Sequence, residues 1–277
     1  MEFVKAHGTG NDFVVVEDLA DRYRITPELV RAVCDRHFGV GADGLIRIAP
    51  GRAAPFFMDY HNADGSLAEM CGNGVRVVGK YLGDRGHVGS ALDLETRAGV
   101  KHLELHADDR GAVDRVTVDM GSPELEEDDR KLDVDGRVVT ATCLSMGNPH
   151  AVVFVDDVDA APVTTLGPLL ERHSAFPAGT NVEFAQVVDA QVVRQRTWER
   201  GVGETLACGT GACAVAVVAG LRGLAGHPLA VELRGGRLEL DWTPGGTVRM
   251  TGPAREVAFG TLAPELLAGL PAVTTGR

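Results

Sequence analysis

The sequence predicts an α+β protein of two similar domains, each with strands wrapped around a central buried helix. Three observations lead there. The chain repeats itself at one fixed offset, each repeat carries a Cys-Gly-x-Gly motif that opens an apolar stretch, and short valine-rich runs surround both stretches.

The repeat is the primary signal. Cys71-Gly72-Asn73-Gly74 resembles Cys208-Gly209-Thr210-Gly211, an offset of 137 residues. At the same offset Gly10-Asn11 matches Gly147-Asn148, and Leu92, Glu95, Arg97 and Gly99 match Leu229, Glu232, Arg234 and Gly236. One matching segment is easily accidental, but several in a single register indicate a duplication. The unit is far longer than a solenoid period, so it denotes two domains rather than an array.

Within each half the elements run in parallel. Phe13 to Glu17 and Ala151 to Val155 are short apolar runs that read as strands. Ala54 to His61 and Gln191 to Trp198 are strand candidates leading into the cysteine segments, and Leu92 to Thr96 and Leu229 to Leu233 are strands followed by turns. Val75 to Leu82 and Ala212 to Leu221 are apolar nearly all round, as buried helices are. Gly111 to Arg137 joins the halves, with a boundary near residue 115, and its acidic run Glu124 to Asp129 reads as a solvated loop.

Bulk properties narrow the function. The 277 residues are 44% hydrophobic and 24% charged, an ordinary globular composition. A net charge of −12 argues against nucleic acid or an anionic membrane as partner. No apolar run is long enough to span a bilayer, and the N-terminus lacks a signal pattern, so the cytoplasm is the expected location. The five cysteines, Cys34, Cys71, Cys143, Cys208 and Cys213, form no CxxC pair and no His/Cys cluster, so no metal site is expected. A small-molecule substrate is the expected partner. A homodimer is compatible with the sequence but not specified by it.

Both motifs place a cysteine at the entrance to a helix, where the first N–H groups lack intrahelical partners and carry partial positive charge. Such a terminus binds carboxylates and favours thiolate over thiol. A single buried cysteine beside glycine is ordinarily packing, which is the reading for Cys34, Cys143 and Cys213. Two copies in register favour chemistry. Inverting a stereocentre removes a proton from one face and adds one to the other, and two like groups on opposite faces of the ligand meet that demand.

The motifs resemble those of diaminopimelate epimerases. Asn62-Ala63-Asp64-Gly65-Ser66 with Met70-Cys71-Gly72-Asn73-Gly74 and Arg76 is similar to the family's first signature. Glu199-Arg200-Gly201-Val202-Gly203-Glu204-Thr205 with Ala207-Cys208-Gly209-Thr210-Gly211-Ala212 is similar to the second. His7 to Phe13, Gly39 to Gly44, Gly147 to His150 and Asn181-Val182 also fit.

The resemblance implies interconversion of LL- and meso-diaminopimelate, in lysine and peptidoglycan precursor synthesis, without pyridoxal phosphate or metal; no cofactor is expected. It implies that Cys71 and Cys208 are the acid/base pair, tuned by His150 and Glu199. Gly72, Asn73, Gly209 and Thr210 would hold the reacting carboxylate, and Asn11, Asn62, Asn148, Asn181, Glu199 and Arg200 would line the substrate site. Arg200 suits the remote carboxylate through a forked charge-assisted bond, and Glu199 or amide oxygens suit the remote ammonium. It also implies that the chain's end returns to the first domain, giving domains 1–115 with 262–277 and 116–261. His61 and Trp198, one residue before Asn62 and Glu199, read as strand packing.

One position departs from the family. Gly44 stands where many members carry glutamine, and its repeat counterpart is Asn181. Two competing readings remain at this point. Proline-racemase-type enzymes usually show histidine where this chain has Asn73, and a binding or redox protein would use the cysteines without exchanging a substrate hydrogen.

Overall fold

A computed structural model describes residues 1–268 and 270. The chain forms two compact units, residues 1–118 with 253 onward, and residues 119–252. Of the expected return segment 262–277, residues 269 and 271–277 lie outside the described residues.

The first unit contains β1 (Glu2–Gly8), β2 (Asn11–Glu17), α1 (Pro27–Cys34), β3 (Gly44–Pro50), β4 (Phe56–Asn62), α2 (Gly72–Asp84), β5 (Ala91–Thr96), β6 (Gly99–Ala107) and β7 (Val113–Asp119). The second contains β8 (Glu124–Val134), β9 (Arg137–Ser145), β10 (Pro149–Phe154), α3 (Val163–Glu171), β11 (Asn181–Asp189), β12 (Val192–Glu199), β13 (Gly203–Thr205), α4 (Gly209–Leu221), β14 (Leu229–Leu233), β15 (Gly236–Asp241) and β16 (Arg249–Pro253). The chain then re-enters the first unit as β17 (Arg255–Thr261) and the short α5 (Pro264–Leu267).

Strand pairing repeats between the units. In the first, neighbours run β17–β1–β2–β3–β4–β5–β6–β7, with β2–β3 and β4–β5 parallel and the rest antiparallel. In the second they run β8–β9–β10–β11–β12–β14–β15–β16, with β10–β11 and β12–β14 parallel. The place filled by β8 in the second unit is filled in the first by β17, from the far end of the chain.

Even the residue register carries the 137-residue offset. Phe13 pairs with Gly44 as His150 pairs with Asn181. Leu45 pairs with His61 as Val182 pairs with Trp198. Phe56 pairs with Leu94 as Val193 pairs with Val231, and Leu92 pairs with Leu103 as Leu229 pairs with Leu240.

Each sheet packs on its own helix, α2 against β1, β2, β4 and β6, and α4 against β9, β10, β11, β14 and β15. The run from Ala212 to Ala219 is buried throughout, as its lack of a polar face requires. In α2, Gly79 and Gly83 let the helix seat on Leu103, Leu105 and Val113, whose side chains would crowd an added Cβ. No helix among the described residues is long and apolar enough to cross a membrane.

One sequence expectation is overturned. Glu124 to Asp129 is not a loop but the start of β8, paired with β9 through register shifts. Its side chains are exposed, and Asp128 and Asp129 both pair with Arg222. A strand lined with charge presents a poor template for further pairing, and composition alone does not separate such a strand from a loop.

Candidate active site

Cys71 and Cys208 occupy the N-cap positions of α2 and α4, with extended backbones at φ −142°, ψ 115° and φ −114°, ψ 111°. The helices therefore begin at Gly72 and Gly209, and their first-turn amides are the orphan donors on which a carboxylate can sit. The last motif glycine permits close packing beneath the turn. A Cβ on Gly74 would lie 3.0 Å from Ile46 Cδ1, and one on Gly211 would lie 2.6 Å from Glu183 Oε1.

In the first unit, Asn11, Cys71 and Asn73 come together. Asn11 Oδ1 accepts from Cys71 Sγ at 3.4 Å and from Asn73 Nδ2 at 3.3 Å, while Asn11 Nδ2 donates to Asp43 at 2.9 Å. Asn73 Oδ1 in turn accepts from Arg76 Nη2 at 2.9 Å and from Thr9 Oγ1 at 3.3 Å. The amide orientations follow from the two ends of this chain. Arg76 can only donate and ionised Asp43 can only accept, so an oxygen faces Cys71. Arg76 is fully buried and also donates to Gly72 O and Pro253 O.

In the second unit, Asn148, His150, Cys208 and Thr210 come together. Cys208 Sγ accepts from the Gly211 N–H at 3.4 Å and lies 3.6 Å from Thr210 Oγ1. Thr210 Oγ1 accepts from Asn148 Nδ2 at 3.3 Å, and Asn148 Oδ1 faces His150 Nε2 at 3.0 Å. His150 Nδ1 lies 2.8 Å from Glu183 Oε1, and both side chains are wholly buried. Burial pushes the Cys208 thiol well up, and the negative charges of Glu199 and Glu183 push the same way. The Thr210 hydroxyl and the Gly211 amide oppose them.

The other expected residues sit on the neighbouring strand ends. Asn62 closes β4 and donates to Ser66 Oγ at 3.0 Å. Glu199 closes β12 and accepts from Thr205 Oγ1 at 2.5 Å. Asn181 opens β11, donates to Pro149 O and accepts the Arg200 N–H at 3.0 Å. The Arg200 side chain is exposed, its guanidinium donating to Ala178 O, and with Arg172, His173 and Gly201 it lines a surface cavity. His61 is buried on β4, whereas Trp198 donates its indole N–H to Glu171. Gly44 has no room for a side chain, since an added Cβ would lie 2.5 Å from His61 O and 2.6 Å from the Tyr60 ring.

Sequence reasoning missed the residues beneath the two helix termini. Glu183, Gln195 and Thr197 are buried in the second unit at the places held by Ile46, Met58 and Tyr60 in the first. The duplication offset carried the signal, since polar residues replace apolar ones at core positions of equivalent strands.

The diaminopimelate epimerase family profile matches residues 3–126 and 142–257. The diaminopimelate epimerase of Pelotomaculum thermopropionicum is 47% identical, the alignment covering 94% of this chain and 98% of the relative. That of Heliobacterium modesticaldum is 48% identical over 95% of this chain and 99% of the relative. Among solved structures, a probable proline racemase from Agrobacterium radiobacter superposes with a TM-score of 0.74 at 19% identity, covering 95% of this chain and 92% of the other. A phenazine biosynthesis protein from Bacillus anthracis superposes with a TM-score of 0.70 at 17% identity, covering 95% and 99%. These two share the fold. The full-length sequence matches, with both cysteine motifs inside the matched residues, go further: the chain belongs to the diaminopimelate epimerase family.

Proposed function

We propose that Cys71 and Cys208 are the acid/base pair with which this member of the family interconverts LL- and meso-2,6-diaminopimelate, in lysine biosynthesis. The observation that carries the assignment is the equivalent placement of the two thiols at helix N-caps, each beside an Asn–Asn or Asn–Thr pair.

One cysteine, as thiolate, removes the α-proton from one face of the carbon. The other, as thiol, delivers a proton to the opposite face. Their roles exchange in the reverse direction, so no cofactor is needed to serve both. The amides of Gly72 and Asn73, and of Gly209 and Thr210, hold the reacting carboxylate and stabilise the charge that develops on it. Asn11, Asn62, Asn148 and Asn181 line the substrate, Glu199 meets the remote ammonium and Arg200 the remote carboxylate. His150 and Glu199 act on the Cys208 thiol. The cytoplasm suits this chemistry, because it keeps thiols reduced.

Solvent hydrogen tests the two-base step. In heavy water, the first meso product from LL-diaminopimelate is expected to carry deuterium at the inverted carbon, while unreacted substrate stays largely unlabelled. A single base that carries one hydrogen across the carbanion would instead leave protium in the product. Mass spectrometry of both stereoisomers at low conversion separates the two, and substantial protium in the inverted product would rule out the pair.

A further inference from the structure

His150 bridges two groups of different character. Its Nε2 faces the Asn148 amide oxygen at 3.0 Å and its Nδ1 faces Glu183 Oε1 at 2.8 Å. An amide oxygen cannot donate, so the Nε2 position carries a proton. Nδ1 and Oε1, 2.8 Å apart, are themselves hydrogen-bonded, with one proton between the two atoms. With Asn148 Oδ1 engaged by the imidazole, its Nδ2 points to Thr210 Oγ1. The hydroxyl then has its own proton left to direct at Cys208 Sγ, 3.6 Å away, where the Gly211 N–H also points. From Nε2 onward, each donor in this chain is directed towards Cys208.

We propose that Glu183 is a positioning residue for Cys208: by locking His150 with its Nε2 protonated, it orients Asn148 and Thr210 as donors ending on the sulfur and so favours the thiolate. The first unit shows the opposite polarity. There Arg76 and Asp43 fix the two asparagines so that an oxygen faces Cys71, which acts as donor. Glu183 Oε2 is buried and has no hydrogen-bond partner among the described residues. An isolated buried carboxyl group would be costly, and the hydrogen bond with His150 Nδ1 is what makes its burial tolerable.

The groups facing Cys208 are Glu199 at the end of β12, Glu183 on β11, His150 acting through Asn148 at the start of β10, and Thr210 and Gly211 on α4. Removing Glu183 therefore has two opposed consequences. If its role is the relay, the thiolate loses donors and forms at higher pH. If its role is bare negative charge, the thiolate gains and forms at lower pH.

The inference rests on Cys208 being one of the two acid/base groups, and Cys208→Ala tests that premise by itself. The measurement is the pH profile of kcat/KM for epimerisation by the full-length enzyme. Glu183→Met, which keeps length and volume, is expected to move the ascending limb up by about one pH unit and to lower kcat roughly tenfold with KM little changed. Glu183→Gln, whose amide donates to Nδ1 and fixes the same tautomer, is expected to keep the limb of the native enzyme. An unmoved limb in Glu183→Met, or a downward shift in both variants, overturns the proposal. Should Glu183→Met not fold, Glu183→Ile installs the residue found at the equivalent position 46 and is read in the same way. An active Cys208→Ala would refute the acid/base assignment; an inactive one with an unmoved Glu183→Met limb would refute only the relay.

Discussion

The ground beneath the two cysteine-capped helix termini differs although the backbones repeat. The first turn of α2 packs on Ile46 and Met58, and Phe13 stands edge-on to Tyr60 on the strands of the same unit; all four are buried. At the same offsets under α4 lie His150, Glu183, Gln195 and Thr197, equally buried. The helices themselves reverse the pattern, since buried Arg76 on α2 corresponds to buried Cys213 on α4. One unit thus brings its charge from the helix and as a cation, and the other brings it from the sheet and as an acid. A duplicated scaffold supplied two like thiols, and divergence beneath them supplied unlike surroundings. The proposed two-base reaction has use for both, because in it one thiol is the base while the other is the acid.

The bluntest way to break the comparison is to remove each thiol in turn. Cys71→Ala and Cys208→Ala are each expected to lose at least about a thousandfold in kcat while circular dichroism stays native. Equal and severe losses would show that unlike surroundings serve one shared reaction. Near-native turnover by either variant would mean that one unit alone carries the chemistry.

A smaller effect separates the strand ends. Glu199-Arg200 in the second unit corresponds to Asn62-Ala63 in the first, so the charged pair proposed to meet the remote head group belongs to one unit only. Arg200→Met is expected to lower kcat/KM for diaminopimelate roughly ten- to a hundredfold, mainly through KM, as loss of a charge-assisted contact predicts. Steady-state kinetics decide the point, and unchanged constants would make Arg200 a surface cation.

The smallest effect contrasts the two glycines. Gly211→Ala drives a methyl to 2.6 Å from Glu183 Oε1, and Gly74→Ala drives one to 3.0 Å from Ile46 Cδ1, the free end of a flexible chain. Thermal or denaturant unfolding is expected to show a loss of about 1–3 kcal/mol for Gly211→Ala and less than about 1 kcal/mol for Gly74→Ala. Equal losses would mean that the polar network yields as easily as the apolar contact.

The sequence by itself determined the duplication, both buried helices and the thiols that cap them. Those features are local: an apolar run buries itself, a glycine motif starts a helix, and strands repeat where their residues repeat. The acidic run of β8 was illegible for the same reason, because charge reports solvent exposure and says nothing of pairing with β9. Gly44 was visible as a departure from the family, but only the His61 carbonyl and the Tyr60 ring packed against it explain why no side chain fits. The relays were decided by tertiary structure alone. Asn148, His150, Glu183 and Thr210 come from three separated stretches, and which of their atoms donates depends on what each faces across 2.8 to 3.3 Å. Residue type sets the capacity to donate or accept, but the fold decides which capacity is used.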